Sequence, residues 1–310
     1  MTMKTKLMAI AAAAVLVSPL AQAAKIGVTM ASFDDTFLTI LRNSIQTTAQ
    51  KNGATVEAED AGNDIGKQLN QIQNMIAQKD DAIIVNPVDT DVTPKITKMV
   101  AAAGIPLIYV NRKPVDFDKL PPGVAVVASD ERASGTLETQ AVCKLLHGQG
   151  SVMVLMGDLS NEAARTRTQD IDNVLATKEC SGIKIVDKRE GKWSRTAAQD
   201  ITMNWISSGA TFNGIVSNDD EMAIGAINAL KATRKLKGVV VAGVDATPDG
   251  LAAMNAGDLQ VTVYQNAKGQ GAGAVETALK LIKKDKVDRF VNVPFQLVTP
   301  ANMSQFVSKP

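Results

Sequence analysis

Ser217-Asn218-Asp219-Asp220-Glu221-Met222-Ala223-Ile224-Gly225, Gly243-Val244-Asp245-Ala246-Thr247-Pro248-Asp249-Gly250 and Val263-Tyr264-Gln265 each put polar residues directly behind a short apolar run. In an open α/β sheet that position, the carboxyl end of a strand, is where ligands are held. Outward from these stretches the arrangement repeats. Strand candidates run over 25–30, 54–59, 82–86, 106–110, 124–128, 151–156, 183–187, 214–217, 238–243 and 259–264, with helix-period segments between them. Ile65, Leu69, Ile72, Met75 and Ile76, for example, fall on one face of a helix. Such alternation predicts parallel sheets wound by right-handed crossovers, and strands apolar throughout predict helices on both faces. The pattern also starts twice, at Lys25–Met30 and at Ser151–Met156, each time followed by a polar loop and a helix. The expected architecture is α/β: two similar doubly wound parallel-sheet lobes with a cleft between them. No Pro- or Ser-rich linker separates the halves, which points to short hinge strands instead.

The N-terminus reads as an export signal. Lys4 and Lys6 precede an uncharged run from Leu7 to Leu20, and Ala21-Gln22-Ala23 supplies the small-x-small pattern of a signal peptidase site. The run is shorter than the ~20 residues that a bilayer core requires. Cleavage after Ala23 is expected, with a periplasmic location, and it takes the formal charge from +1 to −1 because two lysines and no acids are lost. That balance gives no electrostatic footprint for nucleic acid or an anionic membrane. A chain of 310 residues with 45% hydrophobic content can bury a large core, usually as two domains.

In spacing and residue type the three quoted stretches resemble the periplasmic sugar-binding proteins of ABC importers, the ribose and galactose type, also called type I periplasmic binding proteins. The pair Asp-Glu-Met-Ala-x-Gly-Ala and Asp-x-Thr-Pro-Asp-Gly is specific, and the likeness spans nearly all of residues 24–310. It implies a three-strand hinge, crossing near Ser129-Asp130, Gln265-Asn266 and Val293-Pro294. The lobes would then be 24–128 plus 266–293 and 129–265 plus 294–310.

A sugar or cyclitol offers hydroxyls that donate and accept around apolar C–H faces, so its site needs carboxylates, amides, guanidinium groups and flat aromatics. The resemblance assigns these roles to Phe33, Asp35 and Phe37 in the first polar loop, to Asn111 and Arg112 behind the fourth strand, and to Asp130 at the hinge. On the second lobe it assigns Arg165, Trp193, Asp219, Asp245 and Gln265. Arg167 and Arg195 are read as surface or supporting residues, and Trp205 as core. Asn111 stands where ribose binders carry an acid and Asp219 where they carry an amide, which points away from ribose. Phe33-Asp34-Asp35-Thr36-Phe37-Leu38 and Met156-Gly157-Asp158-Leu159-Ser160-Asn161 look most like the inositol and rhizopine binders. The resemblance thus implies a monomeric binding protein, not an enzyme, that captures a neutral polyol or sugar, myo-inositol first and a pentose or hexose second. Its other partner would be a membrane ABC permease.

Several neighbouring residues and motifs have readings other than ligand contact. Asp220 and Asp249 suit helix starts, where acidic side chains favour the dipole. Gly269-Gln270-Gly271-Ala272-Gly273-Ala274 satisfies the dinucleotide pattern G-x-G-x-x-A, yet too little chain follows to complete the unit that pattern requires. His147 is the only histidine, so neither a zinc site nor a catalytic triad is expected, and no cofactor is. Cys143 and Cys180 would lie in an oxidising compartment, where a bridge between them is expected and two free thiols are the alternative.

Overall fold

Runs of four to six apolar residues become the central strands of a computed structural model that describes residues 23–307. The expected signal segment lies almost entirely outside the described residues. The first lobe is built from β1 (Lys25–Met30), α1 (Thr36–Lys51), β2 (Thr55–Asp60), α2 (Ile65–Ala77), β3 (Ala82–Val85), α3 (Thr93–Ala102), β4 (Leu107–Val110) and β5 (Val124–Ala128). The chain then passes into α4 (Glu131–Leu145), β6 (Gln149–Met156), α5 (Glu162–Leu175), β7 (Gly182–Glu190), α6 (Arg195–Ser207), β8 (Gly214–Ser217), α7 (Asp220–Ala232), β9 (Val240–Ala242), α8 (Pro248–Asn255) and β10 (Thr262–Tyr264). It ends with α9 (Ala267–Ile282), β11 (Phe290–Asn292) and β12 (Gln296–Val298).

The first sheet has the order β11-β5-β4-β3-β1-β2, with every pairing parallel. Alternate residues of β3 serve opposite faces: Ala82 and Ile84 pack under α1 and α9, while Ile83 and Val85 pack under α2 and α3. Burial on both faces is why this strand is apolar at every position. The second sheet, β7-β6-β8-β9, repeats the first four-strand arrangement. In both sheets the strand order reverses next to the first strand of the unit, between β1 and β3 and between β6 and β8, and the loops that open there face each other.

Two features depart from the expected pattern. β10 pairs with β12 antiparallel, so the second lobe is not wholly parallel, and single bridges at Ala242–Val261 and Asp245–Tyr264 tie β10 to β9. β11 and β12 were not among the strand candidates; each is three residues long at a sheet margin. The glycine-rich decoy lies inside α9, where Gly271 lets α9 meet α1: a Cβ there would come within 2.6 Å of Leu41 O. Cys143 at the end of α4 and Cys180 ahead of β7 form a disulfide with Cα atoms 5.7 Å apart. Among the described residues no helix is long and apolar enough to cross a membrane.

Candidate ligand-binding site

The site starts from helix caps. Asp35 caps α1, its Oδ1 accepting from Leu38 N at 2.7 Å, and this turns the first loop so that Phe37 and Leu38 point under it. Asp219 does the same for α7, accepting from Met222 N at 2.8 Å. In both carboxylates one oxygen is taken by the cap. Asn111 follows β4 in a left-handed conformation, φ 67°, which sends the chain sharply to Arg112. Asn111 Nδ2 donates to Gln270 Oε1 at 3.2 Å and its Oδ1 accepts from Asn86 Nδ2 at 3.3 Å. The Arg112 guanidinium is anchored on Pro87 O at 2.8 Å.

From the other lobe, Asp245 leaves β9 with φ 117°, a value few side chains adopt. Trp193 also has positive φ, 63°, and its Nε1 donates to Asn161 Oδ1 at 3.0 Å. Its ring lies flat on Gly157, where any Cβ would overlap it. Gln265 accepts from Arg167 through Oε1 at 3.2 Å, while its Nε2 is buried and has no partner.

These groups converge on an inner chamber of about 40 Å³ between the lobes. Asp35, Phe37, Asn111, Arg112, Trp193, Asp219, Asp245 and Gln265, all singled out from sequence, line it. Through Asp35, Leu38, Arg112 and Trp193 it opens into an outer cleft of about 710 Å³. The outer cleft is the larger volume, but the buried donors and acceptors are concentrated in the chamber.

Three expected residues are elsewhere. Phe33 packs against the first-lobe core with the Arg42 guanidinium 3.9 Å above its ring, and it is absent from the chamber wall. Asp130 caps α4 and pairs with Arg132 on the outer side of the hinge, where its side chain is 42% exposed. Arg165 reaches Leu159 O at 2.6 Å and Asp91 Oδ1 at 3.0 Å, a contact between the lobes at the rim. The arginine in the chamber is Arg167, read from sequence as a surface or supporting residue and in fact 4% exposed. It pairs with Glu131 at 2.6 Å. The two arginines are 200° apart around α5, and the buried positions Ala163, Ala164, Arg167, Thr168, Ile171 and Val174 mark the inward face. That periodicity was the available signal for Arg167.

Burial raises the pKa of Asp35, Asp219 and Asp245 above the ordinary carboxylate value; the charge of Asp35 adds to the rise at Asp219 and Asp245, and that of Asp219 to the rise at Asp245. Arg167 opposes this at Asp245, as Arg112 does at Asp35. Such a wall mixes carboxyl groups, amides and two guanidinium groups around two aromatic faces. It suits a compact ring bearing hydroxyls on all sides. Among the described residues no group of three His, Cys, Asp or Glu side chains is placed to hold a metal ion.

Comparison with known proteins agrees with this chemistry. Residues 26–286 match the family model described as periplasmic binding protein domain. A putative rhizopine-binding protein of Rhizobium meliloti is 54% identical over 96% of this chain and 97% of its own. Among solved structures, a solute-binding protein of a Bacillus halodurans ABC transporter with bound myo-inositol is 38% identical, with TM-score 0.88 over 93% of this chain and 98% of that one. The myo-inositol-binding protein of Caulobacter, also solved with myo-inositol, is 26% identical with TM-score 0.86 over 93% of this chain and 97% of that one.

Proposed function

The chain belongs to the periplasmic binding protein family, and from that premise we propose that its chamber captures a neutral cyclitol, myo-inositol first. The family consists of solute-binding proteins of ABC importers rather than enzymes, so this chain is the capture component of an importer and works with a membrane permease in the periplasm. What carries the ligand reading is the chamber wall: Asp35, Asn111 and Arg112 from one lobe meet Asp219, Asp245 and Gln265 from the other, with Phe37 and Trp193 supplying apolar faces. We assign ligand contact to these eight residues and to Arg167.

Capture proceeds by closure. Contacts from both lobes are made together only in the closed form, so a ligand that joins them favours that form by its differential affinity. The lobes we assign are 24–128 plus 266–293 and 129–265 plus 294–310; the pairing of β11 with β5 and of β12 with β10 supports this division. We propose that the exported protein is cleaved after Ala23, a reading supported by the leader pattern of Lys4, Lys6, Leu7 to Leu20 and Ala21-Gln22-Ala23, and that it acts as a monomer. A second reading, that the chamber takes the rhizopine for which the Rhizobium meliloti relative is named, is favoured by the 54% identity.

Calorimetric titration with myo-inositol, rhizopine, ribose, xylose, galactose and glucose decides among these. Myo-inositol is expected to bind tightest. An aldose binding tenfold tighter, about 1.4 kcal/mol, would overturn the cyclitol reading and leave the importer reading standing.

A further inference from the structure

Asn161 opens helix α5, a position where an asparagine side chain ordinarily caps the helix by accepting a backbone N–H of the first turn. Here it makes no such bond, and the N–H of Glu162 goes to Thr90 Oγ1 at 3.0 Å instead. The residue is 1% exposed, and its amide is spent elsewhere. Nδ2 donates to Val88 O at 2.9 Å and to Ser160 Oγ at 3.1 Å, while Oδ1 accepts from Trp193 Nε1 at 3.0 Å. A carbonyl can only accept and an indole N–H only donate, so these two partners fix the amide in one orientation.

Trp193 is what this bond holds. It follows Lys192 in a turn where both residues have positive φ, 63° and 53°. Backbone strain of that kind is kept where a side chain has to be aimed. A Cβ on Gly157 would lie 2.1, 2.2 and 2.4 Å from Cη2, Cζ2 and Cζ3, so one face of the six-membered ring rests on Gly157. Gly157 is held in turn, its N–H donating at 3.0 Å to Asn218 Oδ1, which also accepts from Thr168 Oγ1 at 3.1 Å. A flat seat fixes the plane of the indole but lets it slide, and the bond from Nε1 to Asn161 removes that freedom.

We infer that Asn161 is a positioning residue that sets the Trp193 ring at the chamber wall and thereby determines which cyclitol stereoisomers are accepted. Asn161 is not part of that wall, whereas Trp193 is. An aromatic face packs best on a ring face whose axial positions carry only C–H bonds. Myo-inositol has such a face, because its single axial hydroxyl lies on the other side. D-chiro-inositol has none, since an axial hydroxyl points from each face. The fixed indole therefore discriminates between two cyclitols of identical composition.

This rests on the cyclitol reading above, and the test separates the two. Wild type, Asn161→Ala, Trp193→Phe and the double variant are titrated with myo-inositol and D-chiro-inositol, and the indole N–H signals of the ligand-free proteins are compared by proton–nitrogen NMR. Wild type is expected to prefer myo-inositol by roughly tenfold, and Asn161→Ala by no more than about threefold. Adding Asn161→Ala to Trp193→Phe, which has no indole N–H at that position, is expected to leave the preference of Trp193→Phe unchanged. The Trp193 signal, told from that of Trp205 by its loss in Trp193→Phe, is expected to move upfield in Asn161→Ala. If that variant does not fold, Asn161→Ser takes its place with the same expectations: its hydroxyl suits a helix start and is too short to reach Nε1. A wild type without preference overturns the inference. So does an equal weakening of both cyclitols in Asn161→Ala, which would leave Asn161 a contact between the lobes only, or an equal fall in preference in both backgrounds. If wild type ignores both cyclitols, the ligand reading fails alone and the indole signal decides: a signal unmoved by Asn161→Ala overturns the inference, and a shifted one upholds the positioning.

Discussion

Asp245 sits at φ 117° with a carboxyl pushed well above its ordinary pKa by burial. Strained backbone and a desolvated acid each cost stability, and such residues persist where function requires them. Asparagine tolerates the same backbone and removes only the charge. Asp245→Asn is therefore expected to weaken binding of myo-inositol at least tenfold while leaving the ligand-free melting temperature unchanged or higher. Calorimetry and thermal unfolding check both halves, and wild-type affinity would remove Asp245 from the site. At Gly157 the expectation is steric. A methyl group there displaces the Trp193 ring, so Gly157→Ala should also lose roughly tenfold in affinity by the same titration, with circular dichroism unchanged. Trp193 was legible as a chamber aromatic through the family resemblance. The flat seat that Gly157 provides was not, because only the positive φ of Trp193 turns the ring onto it.

Helix α7 shows how one acidic run serves three purposes. Asp219 caps and faces the chamber, Glu221 pairs with Arg195 at 2.8 Å, and Asp220 is fully buried. Asp220 Oδ2 accepts from Thr247 N at 2.8 Å and Oδ1 from Thr262 Oγ1 at 2.7 Å, binding the loop after β9 and the start of β10 to α7. Sequence pattern gave a helix start here but not the tether, since its partners lie 27 and 42 residues away. Likewise β1, β5 and β8 were legible to the residue from their mostly apolar runs, whereas β11 and β12 draw their pairing from tertiary contact alone.

Burial raises Asp220 to about 7, and Asp170 to about 6. Between the ordinary carboxylate value and these values the folded state keeps protons that the unfolded chain has released. Stability therefore falls as pH rises from about 4 to about 7, by at most about 1.4 kcal/mol per pH unit for each such group. The ligand-free protein is expected to melt higher at pH 5 than at pH 7.5. Asp220→Asn should flatten part of that slope, because the Thr262 hydroxyl can turn from donor to acceptor and keep the tether. A wild-type melting temperature that rises across this interval would contradict the assignment.

For the molecule as a whole, closure has a component independent of any ligand. Residues 88–91 of the first lobe meet residues 160–165 of the second: Asn161 Nδ2 donates to Val88 O at 2.9 Å, Thr90 N to Ser160 O at 3.1 Å, and Arg165 Nη2 to Asp91 Oδ1 at 3.0 Å. Lys113 and Glu162 add an ion pair at 3.1 Å. These contacts exist only when the lobes are together, so they raise the population of the closed form and with it the apparent affinity. The Arg165–Asp91 pair is exposed, 37% and 64%, and such pairs contribute about 0.2–1 kcal/mol and weaken with salt. Arg165→Ala is accordingly expected to weaken binding of myo-inositol by roughly two- to fivefold at low ionic strength, a difference that shrinks in half-molar salt as the pair is screened. A residue that instead bonded a buried ligand would lose tenfold or more and show no such salt dependence, because its partner is shielded from solvent ions. Paired titrations of wild type, Arg165→Ala, Asp91→Ala and the double variant at low and high salt therefore separate a rim contact from a chamber contact. Equal, non-additive losses in the two variants at low salt would place Arg165 on the closing surface, and a large salt-independent loss in Arg165→Ala alone would return it to the ligand.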